Sequence, residues 1–276
     1  MMADTRGLSI HLVSDSSGET ISGIARACLA QFEHLALRQH DWFLIRTSGQ
    51  TRRLIQGIRD DPGPVLYTVV DPDIRASLEQ EFMDLDVPCI PVLDPILNAL
   101  SAYLGSPVHG KPGRQHVVDA HYLRRMDAIQ FTIDHDDGQL LEGLSEADVI
   151  VFGVSRTSKT PMCMYLANRG LKAANIPVVP GVILPSDLFS IPGPLIVGLT
   201  RDPSVLADIR RHRLKMMGGD IGSVDYADED RVRDEMSQAR RLFTRHAIPV
   251  IDMTRKSIEE AAATVMQLYA QKRGSV

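Results

Sequence analysis

The stretch Gly153-Val154-Ser155-Arg156-Thr157-Ser158-Lys159-Thr160 holds residue types that bind phosphate. It follows the apolar run Asp148-Val149-Ile150-Val151-Phe152 and precedes a helical pattern. In a strand–loop–helix of this kind, backbone N–H groups of the loop and first helical turn converge on one spot and cradle phosphate oxygens. Lys159 adds a point charge toward a β-phosphate, and the Thr160 hydroxyl is of the type that coordinates Mg²⁺. The usual pattern has Gly before the lysine; here Ser158 takes that place. The eight residues alone also fit an ordinary polar turn capping a helix. The strand before and the helix after favour nucleotide binding by Gly153 through Thr160.

A second hydroxyl-rich turn, Ser14-Asp15-Ser16-Ser17-Gly18-Glu19-Thr20, follows the predicted strand Leu8–Val13. After it, Ile21, Ile24, Ala25, Cys28 and Leu29 recur with helical spacing and mark one buried face. Two readings are open. Ser16, Ser17 or Thr20 caps the helix. Alternatively, Ser14, Ser16, Ser17 and Thr20 bind phosphate at the carboxyl end of a strand, where open α/β sheets place ligands. Arg210, Arg211, Arg213 and Lys215 crowd one predicted helix. They form either a solvated basic face or, through Arg210 and Arg213, a device that neutralises a transferring phosphoryl group. A reaction at a hydroxyl needs an acid group to accept or orient its proton, and Asp187 and Asp15 are the candidates. Asp187, in Pro185-Ser186-Asp187, equally fits a helix cap.

These residues need elements to hold them. Trp42–Ile45, Val65–Val70, Val178–Pro180, Pro194–Leu199 and Ile248–Asp252 read as strands, with Pro88–Leu93 as an edge segment. Helices are expected over Ile74–Leu85, from Asp94-Pro95 through Leu104, over Tyr122–Phe131, after Asp202-Pro203, around Val232–Phe243, and at the end of the chain. Ser257 and Glu260 spell a capping box for that last helix. Gly105–Gln115 reads as an exposed linker or loop. Strands alternating with helices give an α/β fold with mainly parallel sheets. A boundary near 135–147 would divide it into an N-terminal α/β domain (1–140) and a C-terminal P-loop kinase-like domain (141–276).

The chain has 276 residues, 44% hydrophobic and 24% charged, which is ordinary for a globular enzyme. A net charge of -5 argues against a nucleic-acid partner. No apolar run approaches the ~20 residues of a membrane helix, and the N-terminus lacks a signal-peptide core. Cys28, Cys89 and Cys163 read as buried free thiols in a reducing cytoplasm. His109, His116 and His121 lack the spacing of a zinc site.

Several stretches in order resemble one family. They are His11 through Thr20, Tyr122 through Phe131, Asp136-Asp137-Gly138, Gly153 through Pro161, Gly198-Leu199-Thr200, Ile209-Arg210 with Arg213-Leu214, and Thr254 with Ser257 through Glu260. Together they resemble the regulatory proteins of pyruvate, phosphate dikinase and of phosphoenolpyruvate synthase. The resemblance implies a bifunctional enzyme. One activity phosphorylates a threonine of the dikinase with ADP as donor and inactivates it. The other removes that phosphate with inorganic phosphate as acceptor, yielding pyrophosphate. The implied cofactors are ADP and Mg²⁺, with phosphate as co-substrate, and the implied partner is the dikinase, in the cytoplasm. A homodimer is allowed for. Thr157-Ser158-Lys159-Thr160 resembles the dikinase branch, whereas the synthase branch carries Gly before the lysine. The same chemistry on the synthase, a small-metabolite P-loop kinase and a nucleotide-sensing adaptor are the alternatives.

Overall fold

The computed structural model describes residues 8–32, 36–113, 120–138, 142–182, 184–216 and 226–274. The side chains of Ser186 and Asp187 also lie outside the described set. The chain divides into two compact units, Met1–Val117 and Val118–Val276.

Unit 1 holds a four-stranded, all-parallel sheet of β1 (Leu8–Ser14), β2 (Leu37–Trp42), β3 (Val65–Thr68) and β4 (Cys89–Pro91), in the order β2-β1-β3-β4. Its helices are α1 (Glu19–Leu29), α2 (Ser48–Asp60), α3 (Pro72–Phe82) and α4 (Asp94–Leu104). Side chains alternate across the pleat. Ile10 and Leu12 pack with Ile21 and Ala25 of α1 on one face. Val13, Val65 and Tyr67 pack with Leu54, Ile58, Leu78 and Phe82 of α2 and α3 on the other.

Unit 2 repeats the design with β5 (Val149–Gly153), β6 (Ala173–Pro177), β7 (Leu195–Thr200) and β8 (Val250–Asp252), ordered β6-β5-β7-β8 and all parallel. Helices α5 (Ala120–Asp134), α6 (Lys159–Ala167), α7 (Pro203–Met216), α8 (Glu229–Arg245) and α9 (Ile258–Gly274) flank it. Val149 and Val151 of β5 pack with α6 and α9, whereas Ile150 and Phe152 pack with α5, α7 and α8. Both faces of β5 are therefore covered, which accounts for its unbroken apolar run.

The division precedes α5, upstream of the 135–147 stretch expected for it. Helix α5 belongs to unit 2 because Phe131 joins the core of β5 and Thr132 exchanges hydrogen bonds with Ala173 of β6 at 2.8 and 3.2 Å. Two strands lie upstream of their expected positions. The expected strand at Val178–Pro180 is Ala173–Pro177, because Pro180 has no N–H and small alanines fit between α5 and α6. The expected strand at Trp42–Ile45 is Leu37–Trp42, a polar edge strand, and Leu44 turns to φ 59°. Helix α2 was not expected; its stripe Thr51, Leu54, Ile55 and Ile58 is interrupted by polar residues and glycines. All three cysteines are free, with Cys163 buried but Cys28 exposed, correcting the expectation that all are buried.

Candidate functional site

Strand β5 ends at Gly153, and the chain turns through Val154–Ser158 into α6. The turn is tight. Thr157 is fully buried, and its hydroxyl donates to the Val154 carbonyl at 2.9 Å. A Cβ on Gly153 would stand 2.5 Å from that hydroxyl oxygen and 3.2 Å from the Leu199 carbonyl, so only glycine fits. Arg156 (φ 73°) and Ser158 (φ 72°) both adopt the left-handed conformation, a cost that residues with a Cβ bear mainly where function requires it.

Ser158 is the N-cap residue of α6 but makes no side-chain capping bond. The first-turn N–H groups are therefore not met by a Ser158 cap, unlike the ordinary capping turn that the sequence also allowed. Lys159, 6% exposed, curls over the loop and donates to the Val154 carbonyl at 3.3 Å. Burial pulls its ammonium below the ordinary value, while Asp137, Cys163 and Asp136 act in the opposite sense.

Thr160 opens onto a cluster of oxygens. Its hydroxyl donates to Asp136 Oδ1 at 2.9 Å. Asn175 of β6 donates from Nδ2 to Asp136 Oδ1 at 2.5 Å and to Asp137 Oδ1 at 3.3 Å. The Asn175 Oδ1 atom is buried and has no hydrogen-bond partner. Asp137 is exposed and left-handed at φ 50°. None of Asp136, Asp137 and Asn175 was among the residues expected from the sequence to carry chemistry. The available signal was the presence of the Asp-Asp-Gly motif among the resembling stretches.

Arg210 is 1% exposed and forms a support rather than part of a solvated face. It pairs with Glu235 at 2.7 Å, donates to the Ser155 carbonyl at 3.2 Å and the Tyr226 carbonyl at 3.0 Å, and lies over the Tyr226 ring. The Tyr226 hydroxyl in turn meets Ser155 Oγ at 2.7 Å. Arg213 is exposed in the last turn of α7. Arg201, which sequence reading missed, follows β7 and donates to Ser158 Oγ at 3.3 Å.

In unit 1, Ser14, Asp15, Ser16, Gly18, Glu19 and Thr20 line a cleft of ≈ 160 Å³ that also includes Lys111. Ser17 is exposed beside the cleft-lining residues. The cap of α1 is Gly18 at φ 78°, which has no side chain with which to cap. Asp15 is 1% exposed, and its Oδ2 accepts the N–H groups of Val70 at 2.7 Å and Asp71 at 2.9 Å. That carboxylate ties the β1–α1 turn to the end of β3. The side chain of Asp187, the other proposed proton acceptor, lies outside the described residues.

Among the described residues, no three His, Cys, Asp or Glu side chains converge as a protein-only metal cage, and no helix is long and apolar enough to cross a membrane. A model of the kinase/pyrophosphorylase family matches residues 10–266. A protein of Paramagnetospirillum magneticum is 53% identical, covering 98% of this chain and 87% of that protein. One of Rhodospirillum rubrum is 52% identical over 94% of each chain, and one of Caulobacter vibrioides is 48% identical over 97% and 84%. Each carries the name "Putative pyruvate, phosphate dikinase regulatory protein". Matched along nearly its whole length by both the family model and these relatives, the chain belongs to the kinase/pyrophosphorylase family.

Proposed function

We propose that the chain is a bifunctional serine/threonine kinase and phosphorylase acting on pyruvate, phosphate dikinase in the cytoplasm. With ADP as donor it phosphorylates a threonine and inactivates the dikinase. With inorganic phosphate as acceptor it reverses the modification and releases pyrophosphate. The names of the relatives supply the partner. The observation that carries the chemistry is Lys159, held over the Val154 carbonyl at the start of α6 beside the oxygens of Asp136 and Thr160.

In this reading the loop Gly153–Thr160 holds the diphosphate, with Lys159 on the β-phosphoryl group. The Thr160 hydroxyl and the Asp136 carboxylate suit a hard cation held by one carboxylate plus phosphates, and Asn175 Nδ2 steadies both, at 3.0 and 2.5 Å. Mg²⁺ at these residues would neutralise charge on the phosphates. In the kinase direction the threonine oxygen forms a bond to the β-phosphorus as the bridging Pα–O–Pβ bond breaks, and AMP leaves. The hydroxyl proton passes to a carboxylate. Asp137 is the best placed, being exposed within the cluster, whereas Asp15 has Oδ2 engaged by two backbone N–H groups. In the reverse direction a phosphate oxygen attacks the phosphothreonine, and the alcohol leaves with a proton. Ser14, Ser16, Ser17 and Thr20, with Lys111, are assigned to inorganic phosphate.

The test is transfer from β-labelled ADP, with labelled ATP in parallel, onto purified dikinase. Label reaching a threonine from ADP, lost in Lys159→Ala, is the expected result. Transfer from ATP alone would point to an ordinary kinase. A blank on both the dikinase and the synthase would leave a nucleotide-sensing adaptor.

A further inference from the structure

Arg201 follows β7, the strand paired with β5, and so stands at the carboxyl edge from which the loop Val154–Ser158 springs. Its Nη2 donates to Ser158 Oγ at 3.3 Å. Its Nε is buried without a hydrogen-bond partner. No carboxylate forms an ion pair with it among the described residues. The nearest acid in effect, Asp252, acts only through its field and is itself bonded to the Thr254 N–H and hydroxyl. Burial therefore pulls the guanidinium below its ordinary value.

Arg210 sets the comparison. Its Nε is also unpartnered, but Glu235 neutralises its charge at 2.7 Å. Arg201 has no such carboxylate. Arg201 is half-buried, and a cation whose Nε is shut away from water with its donor unmet and no counter-charge is unfavourable unless an anion completes it. The anion expected at this edge of the sheet is the phosphate chain of the nucleotide.

We infer that Arg201 is a phosphate-contacting residue of the transfer centre, set in place by the Ser158 hydroxyl and bound to oxygens of the phosphoryl group in flight. This rests on the reading that Gly153–Thr160 holds the nucleotide. It also gives Ser158 a purpose. Glycine would relieve the left-handed backbone at φ 72°, but only a side chain offers the oxygen that orients Arg201. During transfer the guanidinium keeps its proton. It offers paired donors to oxygens whose charge is redistributed as one P–O bond forms and the other breaks.

Two measurements on the full chain test this. Binding of inorganic pyrophosphate by calorimetry reads the contact without any transfer, and Arg201→Ala should weaken it about tenfold. Transfer from ADP at saturating nucleotide should fall about 10²-fold or more, with an unchanged thermal midpoint. Added guanidinium should restore part of it in Arg201→Ala and none in Lys159→Ala, a rescue that a merely structural role would not give. Ser158→Gly should show a smaller loss of rate. Equal pyrophosphate affinity in wild type and Arg201→Ala would overturn the inference, as would a rate loss that tracks a lower thermal midpoint without rescue. Arg201-dependent pyrophosphate binding in a wild type that transfers nothing would instead overturn the kinase reading and leave the contact standing.

Discussion

Thr160 donates its hydroxyl to Asp136 at 2.9 Å, joining the first turn of α6 to the segment that follows α5. The bond brings together residues 24 positions apart and holds a hydroxyl and a carboxylate side by side.

Replacing Asp136 by Asn preserves the shape and an acceptor for Thr160 but removes a charge. Phosphoryl transfer should fall about 10²–10³-fold, the size expected when one preorganised electrostatic group is lost. The Mg²⁺ concentration needed for half-maximal rate should rise, while the thermal midpoint stays within a few degrees. A rate titrated against Mg²⁺ in both proteins checks this. An unchanged Mg²⁺ requirement would remove Asp136 from the proposed metal site.

Arg210→Met should be costly for a different reason. It leaves Glu235, only 20% exposed, without its counter-charge, and frees the Ser155 carbonyl. Breaking a buried pair from one side costs about 3–5 kcal/mol, so urea unfolding should show a loss near the lower end of that range. Replacing Glu235 by Met as well should recover much of it, because a matched apolar pair is nearly neutral. A double mutant as unstable as the single would show that the arginine's hold on Ser155 carries the stability.

In unit 1, His11 is fully buried, stacks on His40 at 4.8 Å and sits between two contacts. Trp42 Nε1 donates to its Nδ1 at 3.1 Å, so Nε2 carries the proton and donates to the Asp61 carbonyl at 2.8 Å. Burial lowers its pKa below 6.5. Between the lowered value and 6.5 the unfolded chain binds a proton that the folded chain refuses, so stability rises with pH across that window and falls on acidification. The unfolding free energy of the wild type should slope with pH there more steeply than that of His11→Gln. Trp42, the only tryptophan, gives a direct fluorescence readout. Parallel slopes would show that His11 is not the group responsible.

Replacing Ser16 and Ser17 by Ala should impair phosphate-dependent dephosphorylation more than the ADP-dependent reaction, if the hydroxyl-rich turn binds inorganic phosphate. Kinetics of both directions on one protein preparation decide this. Equal losses in the two directions would mean that the turn supports the fold instead.

Much of this was legible from local pattern. The Ser257/Glu260 capping box forms in both directions, at 2.9 and 3.1 Å, because its partners are three residues apart. The strand–loop–helix around Lys159 stands where its sequence placed it, since each part has its own signal. What escaped was assembled at long range. Asp136 and Asn175 lie 39 positions apart and Arg201 and Ser158 lie 43 apart; the end of α5 docking on β6 joins the first pair, and the pairing of β5 with β7 joins the second. Arg210 misled because a buried arginine and its solvent-facing neighbours on one helix look alike in sequence; the difference lies in Glu235 on another helix. Edge strand β2 escaped because one flank meets solvent and its residues are polar.

β5 sits between two strands that both come later in the chain. A ribosome that has just released Thr160 has produced the eight signature residues but not β6, β7, Arg201 or Arg210. At roughly 5–20 residues per second, several seconds pass before these emerge. Carrying the Gly153–Thr160 motif and having the residues that support it in place are thus separate events in the protein's synthesis, with the support arriving late.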